Sequence, residues 1–238
     1  MQLFSILLGL GVLLGLLLTV WRAPEKEAPR YLEAGLWVLL GALVGSRAMT
    51  VVVNFTYYQS HPGEIVQVWL GGLSGMGAMV GGILVIIILA LWWKLPVGKL
   101  ADMLLPLAGT LTIAAWLGCW VDSCGYGLAS DMWWALPGRD EWGVLAKRVP
   151  VQLLGAILTL VLVWLLDWAG KRLPIPGLVA AIGLFGMSAV IMALSFLRAD
   201  PTPIWNGLRL EAWGAIGLII FSLSSVVVLL SRWKIRKK

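Results

Sequence analysis

Few residues in this 238-residue chain combine a charged or reactive side chain with a position inside its apolar stretches. The clearest is Arg47, in the run Gly45-Ser46-Arg47, because a charge within hydrocarbon is costly and usually has a function. A guanidinium stays charged and can bind a phosphate through two N–H groups. Arg47 is therefore a candidate clamp for a lipid phosphate. The alternative is an arginine that reaches the membrane boundary or forms a structural pair.

A glycine-rich run, 71–78, contains Gly71, Gly72 and Ser74. Such a run lets helices pack closely, which is the simpler interpretation, or opens a helix so that backbone amides can bind a ligand. Arg47 needs an anionic partner, and no carboxylate falls in the middle of an apolar stretch. We therefore predict an anionic phospholipid headgroup within hydrogen-bonding distance of Arg47, with Ser74 and glycine amides nearby.

Two cysteines, Cys119 and Cys124, lie five residues apart near the end of another apolar stretch. They either form a disulfide in an oxidising compartment or are small buried residues. A cysteine nucleophile would need a base nearby, and His61 is the only histidine. Two cysteines and one histidine are too few for a multi-ligand zinc or iron–sulfur site. We predict neither a metal nor a cofactor.

The composition shows which elements must position these residues. The chain is 60% hydrophobic and 13% charged, with a mean hydropathy of +0.92. One water-soluble core cannot hide so much apolar surface, which excludes a soluble enzyme, a secreted disulfide scaffold and a disordered chain. The net charge of +6 does not indicate nucleic-acid binding, since five of the eighteen basic residues crowd into the last seven positions. Such a tail is typical of anionic cytoplasmic lipid contact.

Seven stretches are long enough to cross a bilayer as helices. They cover about 2–21, 34–54, 65–93, 101–119, 150–168, 175–196 and 212–231. The third is long and rich in glycine, which indicates a broken or tilted helix. With the basic tail inside, twelve positive charges fall on the cytoplasmic side and five outside, so we predict the N-terminus outside and the C-terminus in the cytoplasm.

This topology leaves one larger outer loop, at about 120–149, where polar residues alternate with tryptophans. We expect this loop to lie along the membrane surface, and loops of such length are often functional. Arg148 and Gln152 lead from it into the fifth span. They either contact a lipid headgroup or cap the helix.

Taken in order, these segments resemble the prolipoprotein diacylglyceryl transferase family, bacterial membrane enzymes that move a diacylglyceryl group from phosphatidylglycerol to a lipoprotein cysteine. The resemblance runs from about Phe4 to the seventh span. Its motifs are Gly45-x-Arg47, Glu64-Ile65-x-x-x-Trp69-x-Gly71-Gly72-Leu73-Ser74, Asp102-x-Leu104-x-Pro106, the 118–127 turn with Tyr126-Gly127, Trp142-Gly143-Val144, Arg148-x-Pro150-x-Gln152 and Phe196-x-Arg198.

The departures from the family pattern fall on its polar residues. The family has a histidine where this chain has Met76, and an arginine where it has Trp116. The other positions that differ are Cys119 for an asparagine, Cys124 for a glutamate, Ile191 for an arginine, Ser195 for a glutamate, Phe4-Ser5 for Tyr-Gly and Val149 for a histidine. Because the transfer needs a base and cationic donors, these losses favour a fold that is kept and a reaction that is lost.

The resemblance implies a single transmembrane domain over 1–238, all-α, in the bacterial cytoplasmic membrane. It favours a catalytically degenerate protein that binds phospholipid or serves as a subunit of a membrane assembly. The alternative is an active transferase with altered catalytic residues, so enzymatic activity stays open and no catalytic residue is assigned. Expected partners are phosphatidylglycerol, other membrane proteins or a lipoprotein precursor, and no nucleic acid. The lipid-binding residues it implies are Arg47, Gly71, Gly72, Ser74, Tyr126, Gly127, Arg148, Gln152 and Arg198.

Overall fold

The protein is almost entirely helical. The computed structural model describes residues 2–236, so Lys237 and Lys238 of the basic tail lie outside the described residues. The helices are α1 (Gln2–Arg22), α2 (Ala28–Val53), α3 (Phe55–Ser60), α4 (Gly75–Trp92), α5 (Val97–Val121), α6 (Val151–Gly170), α7 (Leu178–Ser195) and α8 (Leu210–Arg236). Two antiparallel pairs of short strands complete it, β1 (Leu136–Arg139) with β2 (Leu145–Arg148) and β3 (Ile204–Trp205) with β4 (Leu208–Arg209).

All helices except α3 are long and apolar enough to cross a membrane, which makes seven among the described residues. Their outward faces carry large apolar side chains, such as Leu17, Ile88 and Leu160, each more than half exposed. In water these faces would be unfavourable, but hydrocarbon solvates them. The prediction of an all-α polytopic membrane protein is confirmed.

The third predicted span, 65–93, begins later than the sequence indicated. Residues 62–66 and 68–70 form two short 3-10 helices, and the spanning helix α4 starts at Gly75. Gly71 and Gly72 interrupt the helix because both have positive φ angles, of 87° and 68°. The segment 54–74 thus becomes a second irregular connection at the same end as the 122–150 connection.

Helices α2 and α4 pack in close backbone contact through small residues. A Cβ on Gly45 would lie 2.5 Å from the carbonyl oxygen of Gly77 and 2.8 Å from Cα of Gly81. Gly41 and Gly45 on one helix therefore face Gly77 and Gly81 on the other, with the four-residue spacing of membrane helix pairs. This packing fixes Arg47, near the end of α2, beside the start of α4.

The remaining spans pack around α5. Helices α1 and α6 lie against α5, α7 lies against α6, and α8 lies against α7. At one end a buried cluster joins α2, α4 and α5 through Tyr31, Leu89, Leu100, Leu104 and Leu107. Three connections lie at the other end of the bundle, which is the predicted outer side: 54–74, 122–150 and 196–209.

Candidate functional site

The Arg47 side chain is 7% exposed and donates to carbonyl oxygens of the 64–72 segment. Its Nε donates to Ile65 at 2.9 Å and its Nη1 to Gly71 at 2.7 Å. Nη1 also donates to Gly72 at 3.3 Å, and Nη2 donates to Glu64. The Tyr58 ring lies 5.2 Å from the guanidinium carbon. Arg47 therefore holds the irregular segment against α2 through partners that carry partial charge only.

Gly71 and Gly72 contact Arg47 through their carbonyls, and the backbone N–H of Ser74 donates to the carbonyl of Ser46 at 3.3 Å. A Cβ on Gly72 would be 3.2 Å from Nη1 of Arg47, so the close approach requires the glycine. The hydroxyl of Ser74 accepts from the backbone N–H of Gly77 at 3.2 Å and caps α4. These contacts give all three residues a structural role, and their binding of lipid stays a prediction.

A second group of predicted residues surrounds Arg148 at the start of α6. The guanidinium forms a 3.0 Å ion pair with Asp140 and lies 4.8 Å from the centre of the Tyr126 ring. Its Nη1 donates to the carbonyl of Gly127 at 3.4 Å, while its Nε is buried with no hydrogen-bond partner among the described residues. An unpaired buried donor is costly and marks a place where a further acceptor would bind favourably.

The Tyr126 hydroxyl donates to the carboxylate of Glu141, from the turn of the β1–β2 hairpin. Burial, followed by this hydrogen bond, raises the pKa of the Tyr126 phenol to about 12. The phenol therefore stays protonated at neutral pH and holds Glu141, while its ring lies against the Arg148 guanidinium. Asp140 and Glu141 were present in the predicted outer loop, but only the hairpin register shows that they reach Arg148 and Tyr126.

Gln152 and the two cysteines form the floor beneath this group. Cys119 and Cys124 are joined in a disulfide, which settles the alternative that the sequence left open. Gln152 donates through Nε2 to the carbonyl of Cys124 at 2.9 Å and is 3% exposed. The disulfide closes the turn after α5, and the Gln152 hydrogen bond links that turn to the first turn of α6.

Arg198 belongs to a network of four charges at the α7–α8 connection. It pairs with Asp200 at 2.6 Å and with Glu211 at 2.9 Å, and Arg209 pairs with the same two carboxylates. The backbone of Arg198 also forms an isolated antiparallel β-bridge with Gly127, and its guanidinium lies against Gly125. Its charge is thus balanced internally, and the sequence motif gave no sign of these partners.

A cavity of about 270 Å³ lies at the outer end between α5, α6 and the β1–β2 hairpin. Its lining includes Tyr126, Gly127, Arg148 and Gln152 from the predicted set, together with Trp120 and Arg139. A separate group at α2 and α4 consists of Arg47, Gly71, Gly72 and Ser74. Arg198 lies outside both groups, in its own charge network, and contacts the cavity residue Gly127 through the backbone. The structure therefore does not bring the predicted site residues together in one place.

Several positions at which the family pattern has polar residues are packed in apolar surroundings. Met76 and Ile191 belong to one cluster with Ala215 and Leu218. Trp116 packs across Gly155 and joins a second cluster that also contains Val149. Ser195 donates its hydroxyl to the carbonyl of Met192 at 2.7 Å within its own helix.

Comparison with known proteins identifies the family. The family model described as prolipoprotein diacylglyceryl transferase matches residues 1–228. A phosphatidylglycerol–prolipoprotein diacylglyceryl transferase of Synechococcus elongatus is 27% identical, over 94% of this chain and 82% of the relative. The protein of that name from Brucella anthropi is 28% identical over 94% of this chain and 84% of its own, and that from Limosilactobacillus reuteri is 31% identical over 49% and 42%. The chain belongs to the prolipoprotein diacylglyceryl transferase family and is a multi-pass protein of the bacterial cytoplasmic membrane.

Proposed function

We propose that this protein keeps the family's fold and phospholipid binding, has lost diacylglyceryl transfer, and serves as a subunit of a membrane assembly. The observation that carries this proposal is the apolar cluster around Met76 and Ile191. The family pattern has a histidine at the first position and an arginine at the second. Here the two side chains pack with Ala215 and Leu218, and the residues around them are Met79, Ile83, Leu184 and Met192.

The chemistry of the family reaction explains why this packing matters. Transfer to a thiol requires a base that generates the thiolate and a cation that stabilises the departing glycerol phosphate. Neither methionine nor isoleucine can exchange a proton or carry a charge. The space in which these groups would act is occupied by carbon and sulfur atoms in van der Waals contact, as Met76 and Gly214 illustrate.

Phospholipid binding is proposed at the outer cavity. Arg148 and Arg139 supply positive charge, Tyr126 and Gln152 supply hydrogen-bonding groups, and the buried Nε of Arg148 lacks an acceptor. A phosphate group of phosphatidylglycerol matches this combination. In this proposal the lipid would also lie on the neighbouring 64–74 segment, whose shape is set by Arg47, Gly71, Gly72 and Ser74. Arg198 holds Gly125 and Gly127 in place.

The proposed role as a subunit draws on the exposed tryptophans of the outer connections. Trp133 is 94% exposed and Trp142 is 82% exposed on the segment that forms the β1–β2 hairpin, and Trp205 is 60% exposed at β3. Such side chains suit a membrane interface or a partner protein. Purification at native expression level tests this part, since a chain that migrates as a monomer without lipid or partner would contradict it.

The transferase assay is the main experiment. The protein in vesicles of phosphatidylglycerol labelled in its diacylglyceryl part, not in the departing glycerol phosphate, is incubated with a prolipoprotein peptide, beside the Synechococcus elongatus relative as a positive control. We expect label on the peptide with the relative and none with this protein. We also expect that the gene fails to rescue a transferase-depleted cell. Labelled peptide above the vesicle-only background would overturn the proposed loss of activity.

A second candidate is an active transferase with altered catalytic residues, and one observation favours it. The Glu141 carboxylate accepts a hydrogen bond from Tyr126, and Tyr126 and Arg148 line the outer cavity, so a base is linked through Tyr126 to a site that holds a cation. If label appears, Glu141→Gln should abolish it. Glu64→Gln is the matched control because Glu64 also accepts a hydrogen bond from a tyrosine, Tyr57 at 2.8 Å, outside the cavity. Equal activity in both variants would exclude Glu141 as the base.

A further inference from the structure

A groove of about 700 Å³ lies at the opposite end of the bundle from the outer cavity. Helices α1 and α6 both pack against α5, and the groove follows the surface of α5 between them. Met103 and Pro106 form its floor, while Leu166 and Val179 line its sides. Its volume falls within the range of small-molecule sites, about 300–1,000 Å³.

One end of the groove is basic. Arg22, Lys99 and Lys171 line it together with the 173–176 part of the α6–α7 connection. Arg22 reaches across from the end of α1 to pair with Asp167 on α6 at 2.9 Å. Lys99 pairs with Glu27 at 2.9 Å, so Lys171 supplies most of the excess positive charge at this end. The site is thus apolar along its length and carries a net positive charge at the end where the helices leave the membrane.

The acidic residues of the groove are already satisfied by other groups. The Asp102 carboxylate accepts from the backbone N–H groups of Gly177 at 2.6 Å and of Ala180 at 2.8 Å, at the start of α7. Asp167 is held by Arg22. Lys171 lies 3.8 Å from Asp167 and its side chain is 76% exposed, so its ammonium remains available to a second anion.

The floor also offers a backbone acceptor. Pro106 lies inside α5 and has no N–H, so the carbonyl of Asp102 lacks its usual helical donor. Both residues line the groove. A lipid would therefore find an apolar floor for its acyl chain, a basic end for its phosphate and a backbone carbonyl for a hydrogen-bond donor of its headgroup.

We propose that this groove is a second phospholipid site, separate from the outer cavity, which takes one anionic phospholipid. An acyl chain lies along Met103, Pro106 and Leu166, and the phosphate lies against Arg22 and Lys171. The positive charge at the basic end favours an anionic lipid over a zwitterionic one. The apolar length of the groove favours a lipid over free phosphate. The site acts as an anchor to anionic lipid at the end of the bundle that also carries the basic residues of α8.

Two variants test the proposal at different parts of the groove. Gly170→Leu fills it, and a Cβ there would meet Val179 at 3.4 Å, which is ordinary contact. Its control is Gly9→Leu, since a Cβ at Gly9 meets nothing within 4 Å. Lys171→Glu reverses the charge, and its control is Lys26→Glu in the exposed α1–α2 connection.

The full chain is reconstituted in phosphatidylcholine nanodiscs with a small fraction of photoreactive phosphatidylglycerol, and the crosslinked peptides are measured by mass spectrometry. We expect crosslinks on the α5 and α6 segments that line the groove. Both test variants should reduce them about fivefold or more. About fivefold is the effect expected for the loss of roughly one basic contact to anionic lipid. Both controls and Arg148→Gln should keep these crosslinks, which separates this site from the outer cavity. Equal crosslinking in test and control variants, or equal crosslinking by photoreactive phosphatidylcholine, would overturn the proposal.

Discussion

Arg47 shows how backbone carbonyls can hold a charged residue near the end of a spanning helix. Its guanidinium donates to the carbonyls of Glu64, Ile65, Gly71 and Gly72, residues 17 to 25 positions further along the chain. The sequence identified Arg47 as unusual and predicted a lipid phosphate beside it, with a structural role or contact with the membrane boundary as the alternative; the lipid contact stays a prediction. Backbone carbonyls have no signature in a sequence, and the break at Gly71 that turns them toward Arg47 could not be located from composition.

Arg47→Lys should destabilise the fold, because an ammonium on a flexible chain cannot reach acceptors that a planar guanidinium spans together. We expect a loss of about 3 kcal/mol in the free energy of unfolding, the order expected when buried charged hydrogen bonds are broken. Denaturation in detergent, followed by tryptophan fluorescence, measures it. Arg139→Lys on the exposed hairpin is the control and should change stability by less than about 0.5 kcal/mol. Equal losses in the two variants would contradict a special role for Arg47.

Tyr126 gives a prediction about pH. Its pKa is raised to about 12 by burial and by the Glu141 carboxylate. The folded state therefore favours the protonated phenol. The stability that this preference contributes is fully present below the unfolded pKa of about 10 and is lost as pH rises through the folded value.

Absorbance titration measures this effect directly. The difference between the protein and Tyr126→Phe should show one phenol ionising near pH 12, while Glu141→Gln should move that step toward ordinary tyrosine values. Glu64→Gln, which changes the Tyr57 pair instead, should leave the Tyr126 step in place. A Tyr126 step at pH 10 in the unaltered protein would show that the phenol does not face the carboxylate in solution.

Among the elements, the disulfide between Cys119 and Cys124 closes the turn that leads from α5 toward α6. A sequence separation of 5 closes a short loop, so the loss of chain entropy in the unfolded state corresponds to about 2 kcal/mol. We expect reductant, or the double substitution Cys119→Ser with Cys124→Ser, to lower stability by this amount. The double variant should no longer respond to reductant. A response that persists in it would show that the reductant acts elsewhere.

The contact between α2 and α4 depends on the absence of side chains at four glycines. Gly45→Ala would place a Cβ against the Gly77 carbonyl, and backbone cannot give way as a flexible side chain can. We expect a loss of about 2 kcal/mol or more from overpacking, measured by thermal unfolding in detergent. Gly217→Ala on α8 is the control, because a Cβ there meets nothing within 4 Å, and it should be neutral or slightly stabilising. Tolerance of Gly45→Ala would mean that the two helices lie further apart.

These elements also show where sequence reasoning works and where it stops. Apolar length predicts the spans because a helix must satisfy its own backbone in lipid. It fails at 65–74, where Val66, Trp69 and Leu70 are apolar yet lie in the connection before α4, exposed rather than within the spanning helix. The sequence placed Tyr126, Gly127, Arg148 and Gln152 in the predicted lipid-binding set but did not predict the cavity that they line. The assembly of this cavity depends on the β1–β2 register, in which Leu136 pairs with Arg148 although eleven residues without a regular period separate them in the sequence.

At the scale of the whole molecule, the seven candidate spans within residues 2–236 are an odd number, so we expect the two ends of this region on opposite sides of the membrane. Which terminus is cytoplasmic depends on the basic residues of the connections, because connections rich in lysine and arginine tend to stay in the cytoplasm. The connections at the end that carries Lys26, Lys94 and Lys171 hold most of the positive charge, whereas the two hairpin connections hold five basic residues. Several of those five are neutralised by paired carboxylates, as Arg148 and Arg198 illustrate. We therefore predict the N-terminus outside and the C-terminus in the cytoplasm.

Fusions at the C-terminus test this orientation. A fluorescent protein, which matures only in the cytoplasm, should fluoresce, and an alkaline phosphatase, which is active only outside, should be inactive. The matched control is the same pair of reporters inserted at Gly143, in the turn between β1 and β2, where the results should be reversed. A Cβ at Gly143 would meet nothing within 4 Å, so the turn has room for an insertion. Active phosphatase at the C-terminus would reverse the topology and place the disulfide and the outer cavity in the cytoplasm, where reducing conditions oppose a stable disulfide.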